Sequence, residues 1–287
     1  LNTAIVLPDE KLLLPVLYSI PQEIEKINVT MGYSLQHSAI ASLTENLAKL
    51  HHNTREMDGE TAFYFRFVLA VLNHPLVTLI ARAEIEELKY FIQQHNRVLI
   101  KASELAVHPF LKHIFSPISN WQETSEYLKI ILSEIYRHLT SEKEADKEEV
   151  AGDTRSIDLE REFVVQYYKS IIRLQETLTP VREISVDTFF RLFKRLTQNL
   201  SVSFSGEPLS GLQVMGVLET RVIDFENLII LSMNEGVFPL KNGSNSFIPY
   251  TLRKAFELPT YEHQESTYAY HFYRMISRAK RVYMLYD

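Results

Sequence analysis

The sequence contains no cysteine and only 8 glycines among its 287 residues. The absence of cysteine excludes a disulfide framework and thiolate metal sites, and it fits a reducing cytoplasm. Scarce glycine, with long stretches rich in Leu, Glu, Lys and Ala, favours a mainly helical body over a β-sandwich or barrel. No apolar run reaches the roughly 18 residues that a membrane helix needs, and no basic-then-apolar leader opens the chain. We therefore expect a cytoplasmic protein with no membrane contact.

Several motifs that mark catalytic and binding sites are also missing. The sequence has no Gly-x-x-x-x-Gly-Lys-Ser/Thr phosphate loop, no Rossmann glycine fingerprint, no His-Glu-x-x-His metal motif and no Gly-x-Ser-x-Gly nucleophile elbow. It predicts no catalytic residue, no metal site and no self-sufficient nucleotide site. The formal net charge of -6 gives no overall positive field, so any nucleic-acid contact must come from local groups.

Short apolar runs near the two ends of the chain have the character of buried parallel strands. The first two are TAIVL (3–7) and INVTMGY (27–33), and the later ones are LQVMGVL (212–218), LIILSM (228–233) and RVYMLY (281–286). Each is too short to stand alone. We predict that residues 1–35 and 206–287 form one α/β domain with a single sheet.

The middle of the chain changes to helical periodicity. Leu43, Leu47 and Leu50 recur at helical spacing, and Phe63, Phe67, Val71 and Leu72 continue the pattern. Further helical segments are AEIEELKYFIQQHN, WQETSEYLKIILSEIYRHL, LEREFVVQYYKSIIRLQETL and VDTFFRLFKRLTQNL. Residues 36–205 are therefore predicted to be an inserted all-α domain, with the acidic segment 141–153 as a solvated loop.

The chain opens directly on an apolar strand pattern, without an initiator Met. This start leads us to expect that the sequence is an excised fragment.

Three segments together resemble a known family: INVTMGYSL, FSGEPLSGLQVMGVLETRVIDFENLIILSMNEGVFP and YRMISRAKRVYMLYD. Their order and spacing are similar to the second RecA-like domain of superfamily I helicases of the UvrD and RecB kind. More narrowly they resemble the AddB-type subunit of ATP-dependent helicase-nucleases. The resemblance implies a RecA-like, P-loop NTPase-type parallel sheet over residues 1–35 and 206–287, with a helical insertion over 36–205.

Within this resemblance, one motif is half retained. Glu235-Gly236-Val237-Phe238-Pro239 keeps the family's Glu-Gly-x-Phe-Pro turn, and Phe225 keeps its aromatic position. Active members have His, Lys, Gly and Glu at four positions that here hold Leu218, Arg221, Val222 and Asp224. Val222 is β-branched, so we expect it not to adopt the glycine conformation that a close approach to phosphate uses.

The resemblance implies roles for six residues. Arg278 and Asp224 are vestigial nucleotide-binding residues, because family members place an arginine of the last motif on the γ-phosphate or at the inter-domain cleft. Arg221 and the turn of Asn234, Glu235 and Gly236 are the candidate DNA contacts. Arg274, Arg278, Lys280 and Arg281 together form a basic cluster able to hold a phosphate, or else a solvated helix end.

The implied function is an inactivated helicase module that guides or scans a single DNA strand in double-strand break repair. Its implied partners are DNA and an AddA- or RecB-like helicase subunit. No cofactor is expected in this fragment: ATP binding is doubtful, and the family's iron–sulfur cluster belongs to a nuclease domain outside these residues. Two alternatives stay open: a piece of an active ATP-dependent helicase, and a protein-interaction scaffold.

Overall fold

The computed structural model describes residues 2–21, 23–24, 26–95, 97–145, 154–180, 183–203, 211–239 and 247–286. The described residues fall into two compact units, one made of Leu1–Tyr33 with Ser203–Asp287 and the other of Ser34–Val202. The first is called the sheet unit and the second the helical unit. Part of the acidic segment (146–153) and the start of the long family-like segment (204–210) lie outside the described residues.

The strands, in chain order, are β1 (Thr3–Leu7), β2 (Ile27–Val29), β3 (Gly32–Ser34), β4 (Arg55–Met57), β5 (Glu60–Tyr64), β6 (Leu99–Lys101), β7 (Ser201–Ser203), β8 (Leu212–Gly216), β9 (Asn227–Ile230) and β10 (Arg281–Met284). The helices are α1 (Leu13–Ser19), α2 (Ala39–His52), α3 (Phe65–Leu72), α4 (Pro75–Gln94), α5 (Ala102–Leu105), α6 (Pro109–Ile114), α7 (Trp121–Ala145), α8 (Thr154–Leu178), α9 (Val186–Thr197), α10 (Tyr250–Ala255) and α11 (Tyr261–Ile276).

The sheet unit is built on a five-stranded sheet in the order β10-β9-β1-β8-β2. Every strand pair in it is parallel, so the predicted α/β class with a parallel sheet is confirmed. Ala4 pairs with Leu228 on one side and with Gln213 on the other, which joins the early and late segments of the chain in one sheet. Ala4, Val6 and Leu228 belong to a buried apolar cluster that includes Met275 from α11.

The connections of this sheet run in opposite directions from two neighbouring strands. After β1 the chain passes through α1 to β2, towards one end of the sheet, and after β9 it passes through α10 and α11 to β10, towards the other. Such divergence opens a crevice outside the carboxyl ends of the two strands, where ligands of open α/β sheets bind. In this sheet the corresponding position is beyond Leu7 and Ile230, the last residues of β1 and β9.

The segment INVTMGY is two strands rather than the one strand predicted. The amide of Thr30 donates to the carbonyl of Val214 at 3.1 Å, and β2 ends there. After the break, β3 (Gly32–Ser34) pairs with β7 in a separate two-stranded sheet. The glycine near the end of the run marks this change of sheet.

The helical unit is not all-α, so that prediction is wrong. It contains a three-stranded antiparallel sheet in the order β4-β5-β6. Asp58 and Gly59 connect β4 to β5 with φ angles of 52° and 75°. Two positive φ angles at an Asp-Gly pair are the signature of a tight hairpin turn, and Phe63 is a buried strand residue rather than a helical one.

Helices nevertheless make up most of this unit. Buried Leu43, Leu47 and Leu50 lie on α2 at the predicted spacing. The later predicted segments correspond to α4, α7, α8 and α9, although the first and last of them extend two or three residues past the ends of α4 and α9. The acidic segment begins as helix rather than loop, because α7 continues to Ala145.

Among the described residues no single helix is long and apolar enough to cross a membrane; α3 and α4 pass that test only as a pair bent by 104°.

Candidate functional site

Arg221 lies in a turn that follows the carboxyl end of β8. Its backbone amide donates to the carbonyl of Leu218 at 3.4 Å, and its Nε donates to the same oxygen at 3.1 Å. The Thr220 hydroxyl donates to the Val217 carbonyl at 2.7 Å and is buried, which fixes the turn from beneath. Arg221 is exposed, and no described carboxylate forms an ion pair with it. Its charge is therefore available to an anion at this edge of the sheet.

The turn of Asn234, Glu235 and Gly236 follows the carboxyl end of β9. The amides of Val237 and Phe238 both donate to the carbonyl of Asn234 at 3.1 Å. Phe238 is buried in the core and packs edge-on against Tyr268, with ring centroids 6.1 Å apart. Gly236 has a φ of 86° and is exposed. A buried aromatic side chain thus anchors an exposed, glycine-containing turn after the carboxyl end of β9.

Two residues in these loops have positive φ angles without being glycine. Val222 has a φ of 66° and Ser232 a φ of 49°. The expectation that Val222 cannot adopt the glycine conformation is therefore wrong. Its side chain is 87% exposed and meets no tight packing, so the cost is backbone strain alone, about 1–3 kcal/mol. Strain of this kind is concentrated at functional loops.

Asp224 and Arg278 come together at the opposite edge. Asp224 precedes β9, Arg278 precedes β10, and these strands are parallel, so both residues lie at the amino-terminal edge of the sheet. Arg278 Nη1 donates to Asp224 Oδ2 at 2.6 Å, and Arg274 Nη1 donates to Oδ1 at 2.8 Å. One carboxylate thus bridges two guanidinium groups.

A second ion pair lies beside this bridge. Lys280 Nζ contacts Glu226 Oε1 at 2.7 Å, and the amides of Lys280 and Arg281 both donate to the carbonyl of Glu226. Hydrogen bonds from Arg274 and then Arg278 hold the pKa of Asp224 below its usual value, and Lys280 lowers the pKa of Glu226 in the same way. Both carboxylates are therefore ionised at neutral pH.

The structure divides the six predicted residues into two sets. The candidate DNA contacts follow β8 and β9, strands that flank β1, so their strand ends lie roughly 10 Å apart at the carboxyl edge. The candidate nucleotide residues lie at the amino edge. Sequence reasoning missed that Asp224 is the partner of Arg274 and Arg278, because it comes about fifty residues earlier in the chain. No local sequence pattern indicates that pairing.

A further basic stretch on α9 is balanced by acids. Arg191 contacts Asp187 at 3.2 Å, and Lys194 contacts Glu45 at 3.1 Å. These pairs fit an ordinary amphipathic helix, with Phe189 buried beneath. Across the described ranges, no group of three or more His, Asp or Glu residues is arranged to hold a metal ion.

No protein-family model matches this chain, and no curated protein matches it.

Proposed function

We propose that this chain is the second RecA-like domain, with its helical insertion, of an AddB-type inactivated helicase subunit. In this role it guides one DNA strand during double-strand break repair, together with an AddA- or RecB-like helicase subunit. The observation that carries the proposal is an exposed Arg221, without an ion-pair partner among the described residues, in the turn that follows β8, together with the exposed glycine-containing turn that follows β9.

The chemistry of this edge suits a nucleic-acid backbone. An exposed arginine binds phosphate oxygens through charge-assisted hydrogen bonds, and the exposed turn at Gly236 brings main chain to the surface without a side chain in the way. Because the whole chain is acidic, such contacts are few and local. We therefore expect binding by this chain alone to be weak and to fall steeply with salt.

The amino edge supports the inactivated part of the proposal. Asp224 forms ion pairs with both Arg274 and Arg278, and Arg278 stands at the position where the family resemblance implies an arginine on the γ-phosphate. The sequence also contains no phosphate-loop motif, the element that cradles nucleotide phosphates in P-loop proteins. In this proposal, phosphate binding at the amino edge therefore matters less than contact with the DNA strand at the carboxyl edge.

The test is a titration of a fluorescent single-stranded oligonucleotide at several salt concentrations. Wild type is compared with Arg221→Ala and with Arg195→Ala, an exposed arginine on α9 that serves as the charge-matched control. Each lost phosphate contact reduces the salt slope by roughly 0.7 for single-stranded DNA. We expect Arg221→Ala to weaken binding and lower the slope, and Arg195→Ala to leave the slope unchanged.

Equal affinities and slopes for all three proteins would remove Arg221 from the DNA path. Absence of binding, or binding insensitive to salt, would favour the second candidate, a protein-interaction scaffold. One observation favours that candidate: residues 247–286 expose several large apolar side chains, among them Phe247, Phe256, Tyr273 and Tyr286. Large apolar side chains exposed to solvent mark protein contacts where they form a contiguous patch.

A further inference from the structure

The parallel sheet has an open edge at β10. This strand is outermost in the order β10-β9-β1-β8-β2, and within the described ranges no further strand pairs with it. The amides of Arg281 and Leu285 donate to carbonyls on the β9 side, at 3.0 and 2.9 Å. Because successive residues of a strand alternate in direction, the amides of Val282 and Met284 point away from β9. The outer side of β10 therefore offers backbone groups that a further strand can engage.

Large apolar side chains accompany this edge on both faces of the sheet. Tyr283 and Leu285 lie on one face and are 55% and 48% exposed. Met284 and, just after the strand, Tyr286 lie on the other face and are 42% and 78% exposed. Edge strands that stay in water usually carry charges along their length, but the one charged residue of β10 is Arg281, at its first position. The composition is that of a contact surface.

The sequence of β10 is complementary to itself when two copies run antiparallel. A two-fold axis at Met284 brings Val282 opposite Tyr286 of the second copy. The same register brings Tyr283 opposite Leu285 of the second copy. Paired residues lie on the same face of the joined sheet, so each apolar side chain meets another apolar side chain.

This register also keeps the positive charges of the two copies apart. The two Arg281 side chains would lie about six positions apart along the strands, or roughly 20 Å, which exceeds the Debye length of about 8 Å at physiological salt. Axes at Tyr283 or at Val282 would instead place Arg281 opposite an apolar residue, Leu285 or Tyr283. The register centred on Met284 is therefore the favoured one.

We propose that β10 is an association edge, through which two copies of this chain join their five-stranded sheets into one continuous sheet, with the β10 strands antiparallel about a two-fold axis at Met284. The association goes beyond the DNA path proposed above and does not depend on it.

The exposed area sets the strength of this association. An aromatic side chain buries about 150–250 Å², so Tyr283 and Tyr286 together offer roughly 250 Å² per copy at their present exposure. Even with Met284 and Leu285 added, the total for two copies stays in the range of weak, transient interfaces, below about 1,200 Å². The dimer is therefore reversible and depends on protein concentration.

Sedimentation velocity of the whole chain over a wide range of concentration tests the association. Tyr283→Lys is compared with Tyr270→Lys, which makes the same change in charge at a tyrosine that is 64% exposed on α11. We expect wild type and Tyr270→Lys to shift from monomer to dimer as the concentration rises. Tyr283→Lys should dimerise at least about tenfold more weakly, because lysine on an edge strand opposes pairing. Circular dichroism checks that all three proteins are folded.

The absence of cysteine from the chain allows a separate test of the register. In a hydrogen-bonded antiparallel pair, facing Cα atoms lie about 5.5 Å apart, within the span of a disulfide. Met284→Cys would face its own copy across the axis, so this single substitution should give a covalent dimer under mild oxidation. Tyr270→Cys, the control on α11, should crosslink at least about tenfold more slowly.

Several results would overturn the proposal. They are a chain that stays monomeric at every concentration, a dimer that Tyr283→Lys weakens no more than Tyr270→Lys does, and equal crosslinking of the two cysteine variants. Assembly beyond the dimer would also contradict it, because a two-fold pairing uses the β10 edge of both copies. If Tyr283→Lys does not fold, the crosslinking of Met284→Cys against Tyr270→Cys decides the question.

Discussion

His51 makes the stability of the helical unit depend on pH. Its ring is surrounded by Phe63, Tyr127 and Phe190, with the Tyr127 centroid 4.9 Å away in an edge-on contact. Its Nε2 is buried and has no hydrogen-bond partner among the described residues. Burial lowers the pKa of His51 from 6.5 to about 4.

The sign of the effect follows from this lowered pKa. Above pH 6.5 the ring is neutral in both the folded and the unfolded chain, so His51 adds no pH dependence. As the pH falls from 6.5 towards 4, the unfolded chain binds a proton that the folded chain excludes, and stability is lost. Between pH 7 and pH 5 this loss amounts to about 2 kcal/mol for pKa values of 6.5 and about 4.

The single tryptophan gives a local reading of this loss. Trp121 lies in α7 of the helical unit and is buried, so its fluorescence reports the unfolding of that unit by urea. We expect wild type and His52→Gln to lose nearly the same stability between pH 7 and pH 5, because His52 is exposed and its 3.3 Å contact with the half-exposed Asp187 is a surface pair that contributes little. His51→Leu should lose about 2 kcal/mol less.

The comparison between variants also removes the contributions of other groups. Burial lowers the pKa of His74 and raises that of Glu160, so both titrate in the same unit. Their effects are common to all three proteins and cancel in the difference. Equal acid-induced losses in His51→Leu and wild type would refute the reasoning.

Three further predictions concern the sheet unit. Gly211→Ala should destabilise the protein more than Gly59→Ala. Both glycines have positive φ (73° and 75°), but only at Gly211 would a Cβ lie 2.0 Å from the Lys26 carbonyl oxygen. Urea unfolding midpoints followed by circular dichroism compare the two variants, and equal losses of stability would contradict the clash. Val222→Gly should raise the free energy of unfolding by about 1 kcal/mol, since relief of left-handed backbone strain exceeds the entropic cost of glycine. We expect slower hydrogen exchange of the β1 and β9 amides, and faster exchange would show that no strain was relieved. We expect no ATP hydrolysis, because the chain lacks a phosphate-loop motif; turnover that disappears in Arg278→Ala would contradict this.

The parallel sheet was predictable because its strands carry strong local signals. TAIVL and LIILSM are short apolar runs bounded by polar or turn residues, and Ile5 indeed pairs with Ile229. The small antiparallel sheet was missed because β4 and β6 have only three residues each. The Asp58-Gly59 dipeptide was the signal that could have revealed it.

The site was predictable only in part, for a different physical reason. The turn at Gly236 depends on residues that are neighbours in the chain, so the sequence predicts it. The pairing of Asp224 with Arg278 joins side chains that are 54 residues apart and depends on how β9 and β10 align. The φ of Val222 opposes its own local preference, which shows that the fold overrides propensity in that loop.

The two-part construction of the sheet has a consequence for synthesis on the ribosome. β1 and β2 leave the exit tunnel first, but their neighbour β8 follows only after the whole helical unit has been made, since Ala4 pairs with Gln213. Domains fold as they emerge, so Ser34–Val202 is ready to fold while two apolar strands still have open edges. The nascent chain is thus most vulnerable to aggregation in that interval, and translation speed through β8 and β9 sets how long it lasts.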